Sequence, residues 1–207
     1  MRYLDSKCKL CRREGQKLFL KGDRCYSPKC PLEKKGAVPP GAHGQKRRRR
    51  ISDFGRQLRE KQKAKRIYSL NEAQFKRYFN FANKKRGGKT GEALLQILES
   101  RLDNIVYRLG FTPSRSIARQ IVSHSHIQVD GKRVNIPSYQ VKPSQTVTLT
   151  TKGLTIPHVK KMLANKDYRV PSWLKKKAAV GKMERIPTRE EIDTEVDEKL
   201  IIEYYSR

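Results

Sequence analysis

The sequence predicts an α+β fold: a mainly helical lobe, a second lobe built as helix–helix–β-hairpin, and a cysteine-bearing segment at the N-terminus. Three observations carry this. All four cysteines fall within the first 30 of 207 residues. Apolar residues recur at helical spacing from about residue 53 to residue 122, after which the period changes to two. The pair Asp130-Gly131 sits where that alternation must turn back. These shifts divide the chain into 1–45, the cysteine segment; 46–90, a helical lobe completed by 184–207; and 91–183, the second lobe, whose distinctive module spans about 99–149.

Residues 1–45 are rich in turn formers and close on VPPGAHG, which predicts irregular structure. KRRRR at 46–50 cannot form a core, and a charge block this dense between ordered segments suits contact with phosphate. Asp53 to Arg66 suits a helix with a thin apolar face of Phe54, Leu58, Ala64 and Ile67. Ser69 with Glu72, or Asn71 with Gln74, offers a capping box for the next helix. Its stripe of Phe75, Tyr78, Phe79 and Ala82 reads as core rather than a base-stacking platform, and Gly87-Gly88 ends it. Thr90 can cap one continuous helix, TGEALLQILESRLDNIVYRLG, with Leu94, Leu98, Leu102, Ile105 or Val106, and Leu109 in register and Gly110 as stop.

Thr112-Pro113-Ser114 opens another helix, with proline where the first turn needs no donor. Ile117, Ile121 and Val122 face inward, leaving Arg115 and Arg119 together on an outer face. Ile127 and Val129 then alternate as a strand into the Asp130-Gly131 turn, and Val141, Val147 and Leu149 continue in strand rhythm. Residues 152–183 read as helical in part (IPHVKKMLANKDY), then as a basic loop around Trp173 and Lys175-Lys176-Lys177. No internal repeat is evident.

The charge narrows the partner. There are 48 Lys and Arg against 20 Asp and Glu, a formal net charge of +28. Such a chain repels itself when compact unless a polyanion neutralises it, and nucleic-acid phosphate is the leading candidate. The sign is not uniform: residues 61–90 hold ten bases and one acid, 131–183 twelve and one, whereas 184–207 hold eight acids and four bases. That last stretch is interleaved with Ile192, Val196, Leu200, Ile201, Ile202, Tyr204 and Tyr205. It is too apolar for a disordered tail and should fold back onto the protein. No run of 18 apolar residues exists and MRYLDSKCKLCRREG has no apolar signal core, so a soluble intracellular protein without a membrane partner is expected.

Cys8, Cys11, Cys25 and Cys30 are spaced C-x2-C-x13-C-x4-C. Four thiolates from two short loops suit one structural Zn²⁺ in a closed site, which would crosslink a segment too polar to fold alone. Disulfides and uncoordinated thiols are the alternatives; an intracellular chain rarely keeps the former. His43 is a spare donor. Gly88-Lys89-Thr90 imitates the end of a phosphate-binding loop, but position 83 is Asn83 and a helix precedes it. His43, His124, His126 and His158 lie in no metal or nucleophile motif, and no acidic cluster suggests Mg²⁺. No enzyme is indicated.

Longer stretches carry a more specific signal: RREGQKLFLKG, GAHGQK, SDFGRQLREKQKAKRIY, LLQILESRLDNIVYRLGF, SRSIARQIVSHSHIQVDGKRVNIPSYQVKP and IIEYYSR. Along its whole length the chain resembles the uS4 family, the fourth protein of the bacterial small ribosomal subunit, with residues 151–183 aligning least. Residues 99–149 resemble the RNA-binding module named after that family, and the cysteines resemble its zinc-bearing branch. The resemblance implies a primary rRNA-binding protein that binds the 5′ domain of 16S rRNA and acts early in assembly. It implies contact with the third and fifth small-subunit proteins, a place near the mRNA entry channel, an influence on decoding accuracy and a cytoplasmic location, with no homo-oligomer. Lys46, Arg47, Arg49 and Arg50 would face the channel. Arg115, Arg119, Ser123, His124, His126, Lys132 and Arg133 would contact RNA from the module. Arg56, Arg59, Lys63, Arg66, Arg77, Lys84 and Lys85 would grip a second RNA helix, giving a bilobed clamp. A free-standing RNA chaperone, or an RNA-modifying enzyme carrying the same module, is the alternative; the latter needs a catalytic domain for which no stretch remains.

Overall fold

Residues 3, 5–46, 50–84, 89–165 and 168–207 are described by the computed structural model, which divides into two units, residues 1–91 with 194–207 and residues 92–193.

In the first unit, α1 (Cys8–Glu14) stops at Gly15, whose φ of 77° is the left-handed turn that glycine favours. A 3-10 turn (Gly22–Cys25) follows, then α2 (Pro31–Lys35), opened by Pro31 where no donor is needed. Arg12 ties the VPPGAHG stretch down, its Nε donating to the Val38 carbonyl at 2.7 Å and Nη2 to that of Pro39 at 3.1 Å. α3 (Asp53–Ile67) is capped by Ser52, whose Oγ accepts from the Gly55 amide. Its buried stripe is Gln57, Lys61, Ala64 and Ile67, while Phe54 stays 47% exposed, which corrects the expected apolar face. The helix that covers it explains the polarity. The C-terminal helix (Glu198–Tyr205) packs on α3, its Glu203 accepts from Gln57 at 2.9 Å, and the Lys61 ammonium lies 4.2 Å above the Tyr204 ring.

α4 (Glu72–Lys84) is capped by Asn71, whose Oδ1 accepts from the Gln74 amide at 2.7 Å. Ser69 instead makes the turn between α3 and α4 with φ 54°. Phe75, Phe79 and Ala82 are buried, and Tyr205 stacks on Phe79 with ring centres 4.5 Å apart, so the aromatic stripe is core. The Gly87-Gly88 stop lies outside the described residues.

α5 (Thr90–Glu99) and α6 (Leu102–Arg108) correct the expectation of one continuous helix. Arg101 is extended between them (ψ 139°) because residues 137–141 run alongside and take the backbone groups a helix would use. The amide of Leu102 donates to Tyr139, that of Asp103 to Pro137, and that of Val141 to Ser100. α7 (Arg115–Ser123) is capped by Ser114, so Pro113 precedes the cap rather than filling the first turn. β1 (Ile127–Val129) and β2 (Lys132–Arg133) form the hairpin, with φ of 48° at Asp130 and 78° at Gly131 making the two-residue turn.

β3 (Thr146–Leu149) is followed by α8 (Thr151–Leu154) and α9 (Pro157–Ala164). The basic stretch expected as a loop is a second hairpin, β4 (Leu174–Lys177) with β5 (Val180–Met183). The sheet is fully antiparallel in the order β2-β1-β3-β5-β4. Leu174 and Met183 point inward beside Trp173, itself 1% exposed; Lys175 and Lys177 are exposed, while Lys176, on the Leu174 face, is half-buried with its ammonium 5.3 Å from the Phe111 ring centre. Gly181 is required by packing: a Cβ there would stand 2.2 Å from Leu109 Cδ1. The core of this unit joins α6, α7 and the sheet through Leu102, Ile105, Val106, Ile121, Val122 and Val147. Among the described residues no helix is long and apolar enough to cross a membrane.

Candidate nucleic-acid interface

A buried polar network lies behind α7. Glu99, fully buried, accepts from Arg108 Nε and Nη2 at 2.9 Å each and from Asn104 Nδ2 at 2.7 Å. Arg101, 1% exposed, forks onto Asp103 at 3.1 and 2.8 Å. Two-pronged, charge-assisted bonds of this kind fix orientation as well as charge. The network reaches the surface through α7. Arg115 Nε donates to Asn104 Oδ1 at 2.7 Å and its guanidinium lies 4.5 Å from the Tyr107 ring centre; Arg119 Nη1 donates to Asp103 Oδ2 at 3.4 Å.

Arg115 and Arg119 are thus half-buried and held by α6 rather than standing clear on an outer face, which corrects the sequence reading of that face. Each guanidinium is positioned by these contacts. Beyond them Ser123 and His124 are exposed at the end of α7, and His126 is half-buried with its ring centre 6.3 Å from that of His124. Lys132 and Arg133 are exposed on β2. Asp130 fastens the hairpin rather than adding charge to it. Its carboxylate accepts from the Thr146 amide and hydroxyl and from Gln145, and the Thr146 amide chiefly holds it below the usual carboxylate range.

Sequence reasoning picked out the rim of this surface and missed its support: Glu99, Arg101, Asp103, Asn104 and Arg108. The signal was five charged or amide residues within ten positions of LESRLDNIVYRL, more than a buried helix stripe tolerates without pairing.

In the first unit the candidate bases sort by commitment. Arg56, Arg77 and Lys84 are exposed, as are Lys46 and Arg50. Arg59 and Arg66 both donate to Glu14, whose side chain is 3% exposed, and Lys63 pairs with Glu60. Burial raises the Glu14 carboxyl, and Arg66 and Arg59 oppose that rise. Arg47, Arg49 and Lys85 lie outside the described residues.

Cys8, Cys11, Cys25 and Cys30 come from α1, the 3-10 turn and the start of α2, and all four line one small pocket with Leu20 and Leu32. None is in a disulfide. Among the described residues, however, no three His, Cys, Asp or Glu side chains stand close enough together to hold a metal ion. Burial chiefly pushes the Cys11 and Cys25 thiols up, and the neighbouring cysteines add to it. The donor set suits zinc in kind. His43 lines a different groove, between residues 39–44 and α3.

Two family models match the chain. Residues 2–99 match the model described as "Ribosomal protein S4/S9 N-terminal domain", and residues 100–147 match "S4 domain". Curated relatives named small ribosomal subunit protein uS4 match end to end. The one from Natranaerobius thermophilus is 54% identical over 209 residues, covering 100% of this chain and 99% of the relative. Those from Dictyoglomus turgidum and Thermus thermophilus are 55% and 51% identical, each with the same coverage. The chain therefore belongs to the uS4 family of small ribosomal subunit proteins.

Proposed function

We propose that this chain is a structural constituent of the small ribosomal subunit in the cytoplasm, and that it binds the 5′ domain of 16S rRNA directly. It is not an enzyme; its end-to-end relatives are ribosomal subunit proteins. The single observation that carries the RNA reading is α7 with its hairpin. Two arginines are held by a buried polar network, and Ser123, His124, Lys132 and Arg133 are exposed farther along α7 and on β2.

Folded RNA is recognised through shape, phosphate and 2′-hydroxyl contacts rather than by reading base edges in its deep groove. Preset guanidiniums lose little freedom on binding phosphate, so they favour one arrangement of RNA backbone over others. A surface that selects one folded junction orders it for proteins that bind later, which makes early assembly its place. Arg56, Arg77 and Lys84 serve a second RNA helix. Arg59, Lys63 and Arg66 contribute there through the donors their carboxylates leave over. Lys46 and Arg50, with Arg47 and Arg49 between them, belong to the mRNA entry side. The third and fifth small-subunit proteins are the neighbours, and decoding accuracy follows from the contact with the fifth. Cys8, Cys11, Cys25 and Cys30 hold one structural Zn²⁺, which when bound supplies a crosslink and no chemistry.

Competition binding tests the reading: the 5′ rRNA domain against unrelated RNA of equal length at physiological salt. Preference for the 5′ domain supports it. Equal binding to both is the behaviour of a free-standing chaperone and overturns it.

A further inference from the structure

The cysteine segment carries two features that its metal-holding thiols do not explain. The first is a basin of about 950 Å³ lined by Lys9, Arg12, Arg24, Lys29, Lys34 and Lys35, with Asp23 as the acid among its described lining. The second is an aromatic stack on the same segment: Phe19 and Tyr26 lie with ring centres 5.0 Å apart and planes 28° apart. Tyr26 remains 71% exposed and Phe19 37%. Tyr26 stands between Arg24 and Ser27, both basin residues, and the turn is tied together there. The Tyr26 amide donates to the Asp23 carbonyl and the Ser27 hydroxyl to that of Arg24. Phe19 is held at φ 50°, a conformation that bulky residues rarely adopt and that clusters at functional sites.

We propose that this face of residues 6–35 binds single-stranded RNA, with phosphates in the basin and one unpaired base stacked on Tyr26. The proposal rests on the RNA-binding reading above and adds a second, chemically distinct contact to it. A basic groove with an exposed aromatic beside it is the pairing by which proteins hold single strands. A duplex offers phosphates to the basin but keeps its base faces stacked on one another, so the ring distinguishes the two. Tyr26 keeps most of its surface exposed.

The test uses the full chain with a short oligouridylate and a blunt RNA duplex of equal phosphate count. Tyr26→Ala lowers affinity for the oligouridylate about tenfold, within what stacking of one base supplies, and leaves duplex affinity unchanged. Tyr26→Phe keeps wild-type affinity for both. Lys29→Ser with Lys34→Ser reduces the slope of log affinity against log salt by about 1.4 for the single strand, roughly 0.7 for each phosphate contact. Independently of any variant, oligouridylate carrying iodouracil crosslinks to the wild-type chain at Tyr26 or Phe19. The proposal is overturned if Tyr26→Ala binds oligouridylate like wild type, if it loses both RNAs equally, or if the crosslinks fall outside residues 6–35. A Tyr26-dependent single-strand site in a chain without preference for the 5′ rRNA domain sinks the broader function and leaves this site standing.

Discussion

Replacing Glu99 by Ala removes a fully buried carboxylate that receives three side-chain hydrogen bonds. Arg108 is left with its side chain only 10% exposed and with Asp193, 3.1 Å away and 76% exposed, as a carboxylate partner. Breaking one side of a buried ion pair costs about 3–5 kcal/mol. The Arg108–Asp193 pair is already made with Glu99 in place and is screened by solvent, so it offsets little of that. The expected loss is therefore about 3 kcal/mol, a large share of the roughly 5–15 kcal/mol that holds an ordinary domain. At a urea dependence of about 1.5 kcal/mol per molar, the unfolding midpoint falls by about 2 M. The assay is specific to the right unit. The chain has one tryptophan, and Trp173 is 1% exposed in the core beside α6, so its fluorescence follows residues 92–193. Pairing Glu99→Leu with Arg108→Met should recover most of the loss, since neither charge is then stranded. A midpoint shift of the single variant below about 0.5 M, or a double variant no better than it, refutes the buried network as the support of α6 and α7.

Three other outcomes follow from the same contacts. Arg119→Ala should weaken binding to the 5′ rRNA domain and lower the salt slope by about 0.9, one phosphate contact; an unchanged slope in a filter-binding titration removes Arg119 from the interface. Burial works to raise the Glu72 carboxyl, but hydrogen bonds from Lys61, Lys65 and Tyr205 outweigh it and bring it to about 2. Between that value and the ordinary 4.5 the unfolded chain binds the extra proton. The stability Glu72 contributes is therefore full above about pH 5 and lost as pH falls toward about 2; thermal melts of Glu72→Gln should show a flatter acid limb, and an unaltered limb contradicts the pairing. Metal analysis of natively purified protein should give one Zn²⁺ per chain and Cys25→Ser should lower it; metal-free wild type would remove zinc from the account.

What was legible in the sequence was governed by local chemistry. Asp130-Gly131 announced a hairpin because few residues adopt positive φ twice in a row, and the aromatic spacing of Phe75 and Phe79 announced a core face. The misses were tertiary. Nothing local in LESRLDNIVYRLG breaks a helix at Ser100-Arg101; residues 137–141, far along the chain, supply the competing hydrogen bonds. The second hairpin hid because its turn is made by Ala178 at φ 50° instead of by Gly or Asn, and because three consecutive lysines mask the inward Leu174. On α3 the eye follows Phe54 and Leu58, while the buried positions are Gln57 and Lys61, which only the Tyr204 ring and the Glu203 and Glu72 carboxylates make tolerable. The candidate interface divides the same way. Its rim bases could be read from charge and spacing, but that Arg115 and Arg119 lean on Asn104 and Asp103 depends on how α6 meets α7.

Sedimentation through a high-salt gradient tests the central claim most directly. A protein that is a built-in constituent of the small subunit, gripping folded rRNA by preset contacts and not by charge alone, should travel with the small subunits after a wash that strips loosely held basic proteins. Its quantitative appearance in the free-protein fraction at that salt would contradict the account.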